Sequence, residues 1–352
     1  MDIFNLMREA AKLDASDIHI TVGSYPIARV RGDFIKLSNE TLNEDDTKNI
    51  AKELAGESLE KIIKYGQFDF SKSIESGERF RINIYIQKGT FAIAMRIIKS
   101  EVPNFEELGL PEILKIFTKK SKGLVIITGP TGSGKSTTLA SLIDIINSEQ
   151  QKHIITLEDP IEYIHTHKRS LVNQREIGED VESFNSALRA ILRQDPDVIL
   201  IGEMRDPETM SIALKAAETG HLVFSTLHTI GSAKTIDRIV DMFPANQQQQ
   251  IISQLSTVCE GIISQQLIKT RDEAKRLPVL EVMIATPAIR SLIRENKTYQ
   301  INNIINTSSR VGMQSMDQEL LKLYEKGMIS KEDVLDKCTD VEYIKRFVRG
   351  NI

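Results

Sequence analysis

Gly129-Pro130-Thr131-Gly132-Ser133-Gly134-Lys135-Ser136 fits the pattern G-x-x-x-x-G-K-[ST] without a gap, and nothing else in the chain limits its fold as tightly. It follows the apolar run Leu124-Val125-Ile126-Ile127, which ends at Thr128, and leads into the helical Thr137-Thr138-Leu139-Ala140-Ser141-Leu142-Ile143. A strand feeding a helix through such a loop predicts an α/β unit. Glycines let the backbone curl until its N–H groups face phosphate oxygens, and the helix N-terminus adds a favourable dipole. In this pattern Lys135 reaches the β/γ-phosphates and the Ser136 hydroxyl ligates Mg²⁺. Gly129, Pro130, Thr131, Gly132, Ser133, Gly134, Lys135, Ser136 and Thr137 are therefore the candidate nucleotide-binding set, with ATP and Mg²⁺ as the expected ligands.

The remaining strand signals follow suit. His153-Ile154-Ile155-Thr156-Leu157, Val198-Ile199-Leu200-Ile201 and Leu222-Val223-Phe224-Ser225 are apolar runs without alternation, separated by helical patterns, as expected of strands buried on both faces of a largely parallel sheet. From about Asn246 onward helical patterns dominate, so a helical C-terminal part is expected. Before Val102 the pattern differs. Ile3, Leu6, Met7, Ala10 and Leu13 predict a short amphipathic helix, and Asp17–Val22 and Ile27–Arg31 predict strands. In Arg79–Ile86 the even positions are apolar and in Phe91–Ile97 the larger apolar groups are odd, around a Lys88-Gly89-Thr90 turn, predicting a half-buried hairpin with Arg79, Arg81 and Arg96 on its other face. At roughly 100–200 residues per domain, 352 residues suit two domains. Two prolines and a glycine between Val102 and Pro111 suggest a linker over 101–111, joining domains over 1–100 and 112–352.

Acids stand where such strands end. Glu203 follows Asp197–Ile201 in Gly202-Glu203-Met204-Arg205-Asp206, at the ligand-binding edge of an open α/β sheet. A carboxylate there can orient, or take a proton from, the water attacking a γ-phosphate; the alternative is an acid capping the next helix. Glu158-Asp159-Pro160-Ile161-Glu162 either holds Mg²⁺ through its water shell or is a solvated turn, and Glu162 also joins the candidate catalytic residues. His228, closing Thr226-Leu227-His228-Thr229, is placed to donate to a γ-phosphate unless it is structural. His165-x-His167 has no cysteine or acid spacing that makes a metal site.

Composition bounds the partners. Lys plus Arg is 45 and Asp plus Glu 49, a net charge of −4, without the basic excess usual in nucleic-acid binders. Two cysteines, Cys259 and Cys338, make neither a disulfide framework nor a four-thiolate zinc site and suit a reducing cytoplasm. The stretch Met1–Glu9 breaks its apolar residues with charges, and no run approaches the roughly 18 apolar residues of a membrane span, so any membrane contact is expected to be peripheral.

Taken together, Gly129–Ser136, Ile155–Tyr163, Gly202–Asp206 and Ala217–Thr229 resemble, in order, the Walker A, Asp box, Walker B and His box of the secretion ATPases. Ala288-Ile289-Arg290-Ser291-Leu292-Ile293-Arg294-Glu295 is similar to the AIRNLIRE helix of the type IV pilus retraction ATPases, with Ser291 in place of Asn, and Gly312–Asp317 resembles their C-terminal segment. Ala15–His19 and Arg79–Asn83 match the N-terminal PAS-like domain of that family. The resemblance implies a PAS-like domain followed by a RecA-like ATPase core, a homohexameric ring, and an inner-membrane pilus platform protein as partner, with no nucleic acid. It further implies ATP between the two domains, Arg81 and Arg96, with Arg79, completing the site, and His228 near the γ-phosphate. Assembly ATPases of the superfamily carry an extra N-terminal domain and a tetracysteine insertion, so retraction is expected ahead of pilus assembly, type II secretion or a RecA-like translocase.

Overall fold

A computed structural model describes residues 2–75, 77–98, 102–272 and 275–348. The chain divides into two compact units, Met1–Glu101 with Glu162–Ile164, and Val102–Ile161 with His165–Ile352. Of the expected organisation, Met1, the boundary residues 99–101 and the final residues 349–352 lie outside the described residues.

The first unit runs α1 (Ile3–Lys12), β1 (Ala15–Ile20), β2 (Ile27–Val30), β3 (Asp33–Lys36), α2 (Glu44–Ala55), α3 (Leu59–Tyr65), β4 (Gln67–Ser73), β5 (Arg79–Gln87) and β6 (Thr90–Ile98). Among the described residues its strands form an antiparallel sheet in the order β3-β2-β1-β6-β5-β4. The alternation of β5 decides which face is covered: Phe80, Ile82 and Ile84 are fully buried against Ile3, Met7, Ile50 and Leu54 of α1 and α2. Asp2 starts α1 by accepting from the Asn5 amide, and Asn43 and Asp46 form a reciprocal capping box on α2.

The second unit continues with α4 (Lys115–Thr118), β7 (Gly123–Thr128), α5 (Lys135–Glu149), β8 (His153–Glu158), β9 (Leu171–Glu176), α6 (Phe184–Ile191), β10 (Val198–Ile201) and α7 (Pro207–Glu218). It then runs β11 (Leu222–Leu227), α8 (Ser232–Asp241), α9 (Ala245–Val258), β12 (Cys259–Lys269), β13 (Arg276–Ile284), α10 (Pro287–Arg294), α11 (Ile301–Thr307), α12 (Met316–Glu325), α13 (Lys331–Lys337) and α14 (Val341–Val348). The sheet order is β13-β12-β7-β11-β10-β8-β9, parallel throughout except for the antiparallel edge strand β13. Every residue of β7, β10 and β11 is buried, because helices cover both faces. Parallel pairing has one decisive consequence. The chain leaves β7, β8, β10 and β11 at the same edge, so residues 129–134, 159–161, 202–206 and 228–231 all belong to that edge.

One expectation needs correction. Cys259–Lys269 and Arg276–Ile284 are not helical: they are the antiparallel pair β12–β13, and β12 pairs in parallel with β7 beside the phosphate loop. The pattern misled because Ser264, Gln265, Gln266 and Glu281 are polar yet buried, which breaks the apolar runs. Short or polar strands β3, β4 and β9 also carried too little apolar signal to be read. No helix of the described residues is long and apolar enough to cross a membrane.

Candidate functional site

The phosphate loop joins the buried β7 to the 15-residue helix α5. Gly134 occupies the N-cap with φ 82° and offers no capping side chain, and the helix start it opens favours an anion through its dipole. Lys135 is buried, and its ammonium donates to the carbonyls of Gly129 at 2.9 Å and Pro130 at 3.0 Å. The loop already holds its cation in the hollow of its own backbone. Pro130, Thr131 and Gly132 are exposed, whereas Ser136 and Thr137 are half-buried at the helix start.

Glu203 follows β10, and His228 follows β11, the next strand in the sheet. The register brings them together: His228 Nε2 lies 3.3 Å from Glu203 Oε2, and Arg205 pairs with Glu203 Oε1 at 2.6 Å. The Glu203 side chain is 17% exposed, covered enough to strengthen charge interactions yet reachable by water. Helix capping falls to Asp206 instead, which accepts from the Thr209 amide and hydroxyl at 2.9 and 2.6 Å. Gly202 is needed for close approach, since a Cβ there would sit 3.2 Å from the Leu157 carbonyl on β8.

The acidic run is less convergent. Glu158 accepts from Thr156 Oγ1 at 2.7 Å and Gln174 Nε2 at 3.1 Å, Asp159 is exposed, and Glu162 is exposed and groups with the first unit. Among the described residues no three His, Cys, Asp or Glu side chains converge as a metal cage. His165 is buried, and burial pushes its imidazole down to about 4; His167 Nδ1 accepts from the Val172 amide at 3.1 Å.

In the first unit Arg81 and Arg96 stand directly opposite each other on β5 and β6. Like charges so paired destabilise a sheet, and Asp17, at 3.0 Å, relieves Arg96. Both side chains are exposed and Arg79 is half-buried.

Further polar residues tie the loops of the sheet edge to β12 and β13, and sequence reasoning missed them. Thr128 Oγ1 donates to the Thr229 carbonyl at 2.5 Å, linking the strand before the phosphate loop to the residue after His228. Ser264 Oγ accepts from the Gly231 amide at 2.9 Å. Gln265 donates to the Ser133 carbonyl and accepts from Thr138 Oγ1, at 2.7 and 2.8 Å. Glu281 accepts from the amide and hydroxyl of Ser232, both at 2.7 Å, and so anchors the start of α8. Their one sequence signal is polarity inside otherwise apolar strands.

Burial raises the Glu281 carboxyl above its ordinary 4.5, and the Ser232 hydrogen bonds only partly offset it. A raised folded-state value means stability that is present at low pH and lost as pH rises through that value. Glu281→Gln keeps an acceptor for both Ser232 donors and removes the titration. Its melting temperature is expected to gain on that of the wild type as pH climbs from about 4 to 8, and a pH-independent difference would count against this account.

The C-terminal motifs are structural ties as well. Arg290 donates to the carbonyls of Ala285, Ser256 and Thr257 and pairs with Glu260 at 2.6 Å, fixing α10 to the end of α9. Ser291 Oγ reaches Glu295 at 2.9 Å. Ser315 caps α12, and buried Asp317 accepts from the Thr339 amide and hydroxyl and from the Asp340 amide, holding α14 in place.

The family described as type II/IV secretion system protein matches residues 78–336. The chain is 45% identical over 339 residues to the type IV pilus retraction ATPase PilT of Pseudomonas aeruginosa, covering 96% of this chain and 98% of that one. It is 46% identical over 327 residues to a twitching motility protein of Neisseria gonorrhoeae, covering 91% and 87%. The solved pilus retraction motor PilT with bound ADP superposes with a TM-score of 0.92 at 46% identity, covering 98% of this chain and 99% of that one. This chain therefore belongs to the type II/IV secretion system protein family, among its PilT-type pilus retraction ATPases.

Proposed function

We propose that the chain is an ATP-hydrolysing motor that assembles as a homohexamer and drives type IV pilus retraction, with a PAS-like first unit and a RecA-like second unit. The observation that carries this reading is the Glu203–His228 contact at the sheet edge from which the phosphate loop also emerges. A loop that grips phosphate, an acid that can take a proton and a histidine beside it make up a hydrolytic set. The relatives named for pilus retraction and twitching motility support the choice of work.

In this reading the backbone N–H groups of residues 132–137 bind the phosphates, and Lys135 exchanges the carbonyls of Gly129 and Pro130 for phosphate oxygens. Glu203 orients the attacking water and accepts its proton, while His228 donates to the γ-phosphate. Arg81, Arg96 and Arg79 neutralise developing charge in the assembled ring. Arg81 and Arg96 face each other across β5 and β6, a cost that phosphate would relieve. Mg²⁺ fits the donors present: one hydroxyl, Ser136, with Glu158, Asp159 and Glu162 acting through water, suits an ion that keeps most of its hydration shell. When bound it neutralises phosphate charge. Catalysis is thus positioning plus electrostatics. The motor works in the cytoplasm and meets an inner-membrane platform protein peripherally.

The test is steady-state ATP hydrolysis by the purified protein, with and without single- and double-stranded DNA, beside pilus retraction in cells lacking the chain. Turnover that DNA leaves within about twofold, with pili that extend but do not retract, is the expected result. Stimulation by DNA of about tenfold or more, steeply weakened by salt, would favour a nucleic-acid translocase instead. Normal retraction without the chain would overturn the proposed work.

A further inference from the structure

We propose that Gln265 is a positioning residue for phosphate binding: its side-chain amide fixes the orientation of the Ser133–Gly134 peptide in the phosphate loop. The inference rests on the ATPase reading above and adds a residue outside the loop itself. Ser264 on β12 pairs with Thr128, the last residue of β7, so Gln265 is the first residue of β12 beyond that ladder and stands beside the loop. It is 2% exposed, and neighbouring Ile262, Ile263 and Ile268 on the same strand are buried and apolar. A polar side chain persists there only with its hydrogen bonds made, and both ends of this one are engaged.

The orientation of the amide is set by chemistry. The Ser133 carbonyl can only accept, so the group 2.7 Å from it is the Gln265 NH₂; the Oε1 at the other end takes the Thr138 hydroxyl at 2.8 Å. Thr138 lies one turn into α5, so one side chain spans from the loop to its helix. Gln265 also walls the loop on both sides of Ser133: a Cβ at Gly129 would fall 2.1 Å from the Gln265 carbonyl oxygen, and one at Gly134 would fall 3.0 Å from its Nε2.

The consequence follows from the planar trans peptide. With the Ser133 C=O drawn toward β12, the Gly134 N–H must point the opposite way, away from the strand. Gly134 is the N-cap of α5, so that N–H belongs to the donor set an anion would meet. Glycine at 134 leaves this peptide easy to rotate, and Gln265 supplies the restraint that glycine removes.

Gln265→Leu fills the same space without either hydrogen bond. The expected result is a rise of about tenfold in KM for ATP and in the Kd of a fluorescent ADP analogue, with kcat lowered less than about threefold. The melting temperature without nucleotide should fall by only a few degrees. Gln265→Glu adds a reading that packing alone would not move. The protonated acid can still donate to Ser133, whereas the carboxylate cannot and repels phosphate, so KM for this variant should climb with pH between about 6 and 8 while the wild type stays flat. If Gln265→Leu does not fold, Thr138→Val decides, since it removes only the bond that orients the amide; a KM rise of about threefold is expected. Wild-type KM and Kd in the Leu variant, a Glu variant whose KM follows the wild type at every pH, or an unchanged KM in Thr138→Val would each overturn the inference while leaving the ATPase reading intact. A wild-type protein that binds no nucleotide would overturn both.

Discussion

Replacing Glu203 by glutamine is expected to lower ATP turnover by about a hundredfold or more while ATP binding stays within about threefold of the wild type. A hundredfold corresponds to about 2.7 kcal/mol of lost transition-state stabilisation, within the range a positioned general base supplies. The geometry separates the two readouts. Binding belongs to the loop and Lys135, whose ammonium donates to the Gly129 and Pro130 carbonyls, whereas Glu203 meets His228 and Arg205. Glutamine keeps the length of the side chain, can still accept from Arg205 through its one oxygen while its NH₂ faces the His228 ring nitrogen, and loses the capacity to take a proton. Single-turnover hydrolysis beside equilibrium binding of a fluorescent nucleotide distinguishes the cases. A variant that turns over like the wild type would remove Glu203 from the chemistry, and one that fails to bind would make it a structural acid.

What the sequence made readable, and what it did not, follows one physical division. Strands β7, β8, β10 and β11 were legible because a parallel sheet covered on both faces demands unbroken apolar runs, and the phosphate loop was legible because its glycines and lysine have a fixed spacing. The β5–β6 hairpin was legible because one face is solvated, which enforces alternation. The contact of Glu203 with His228 was not visible as a contact. Their separation closes only because β10 and β11 are parallel neighbours that end together. Hairpin β12–β13 was hidden by the polar residues that brace the site. Ser264, Gln265 and Glu281 are buried by pairing with loop amides, carbonyls and hydroxyls far off in sequence, a cost in apparent hydrophobicity that no local pattern reveals.

Two glycines of one loop carry the other large prediction, because the structure gives them opposite surroundings. Gly129 has φ 146° and Gly132 φ 78°, so alanine is strained at both, by roughly 1–3 kcal/mol. Their space differs. A Cβ on Gly132 meets nothing within 4 Å, whereas one on Gly129 lies 2.1 Å from the backbone oxygen of Gln265 and 2.8 Å from Ser133 Oγ. A side chain can rotate away, but the oxygen belongs to the backbone of β12, where Gln265 pairs with Leu280 of β13 and follows directly on the ladder with β7. Relief must therefore come from the loop, which has to move by about 1 Å, a displacement that can cost about a hundredfold at a site where geometry does the work. Gly129→Ala is accordingly expected to weaken ATP binding by about a hundredfold or more, and Gly132→Ala by less than about tenfold. Both should keep a cooperative thermal transition, since the core beneath the loop, Val125, Ile127, Leu139 and Phe224, is untouched. Titration with a fluorescent nucleotide reads the difference directly. Equal losses in the two variants would mean that backbone strain alone governs the loop and that β12 does not shape it.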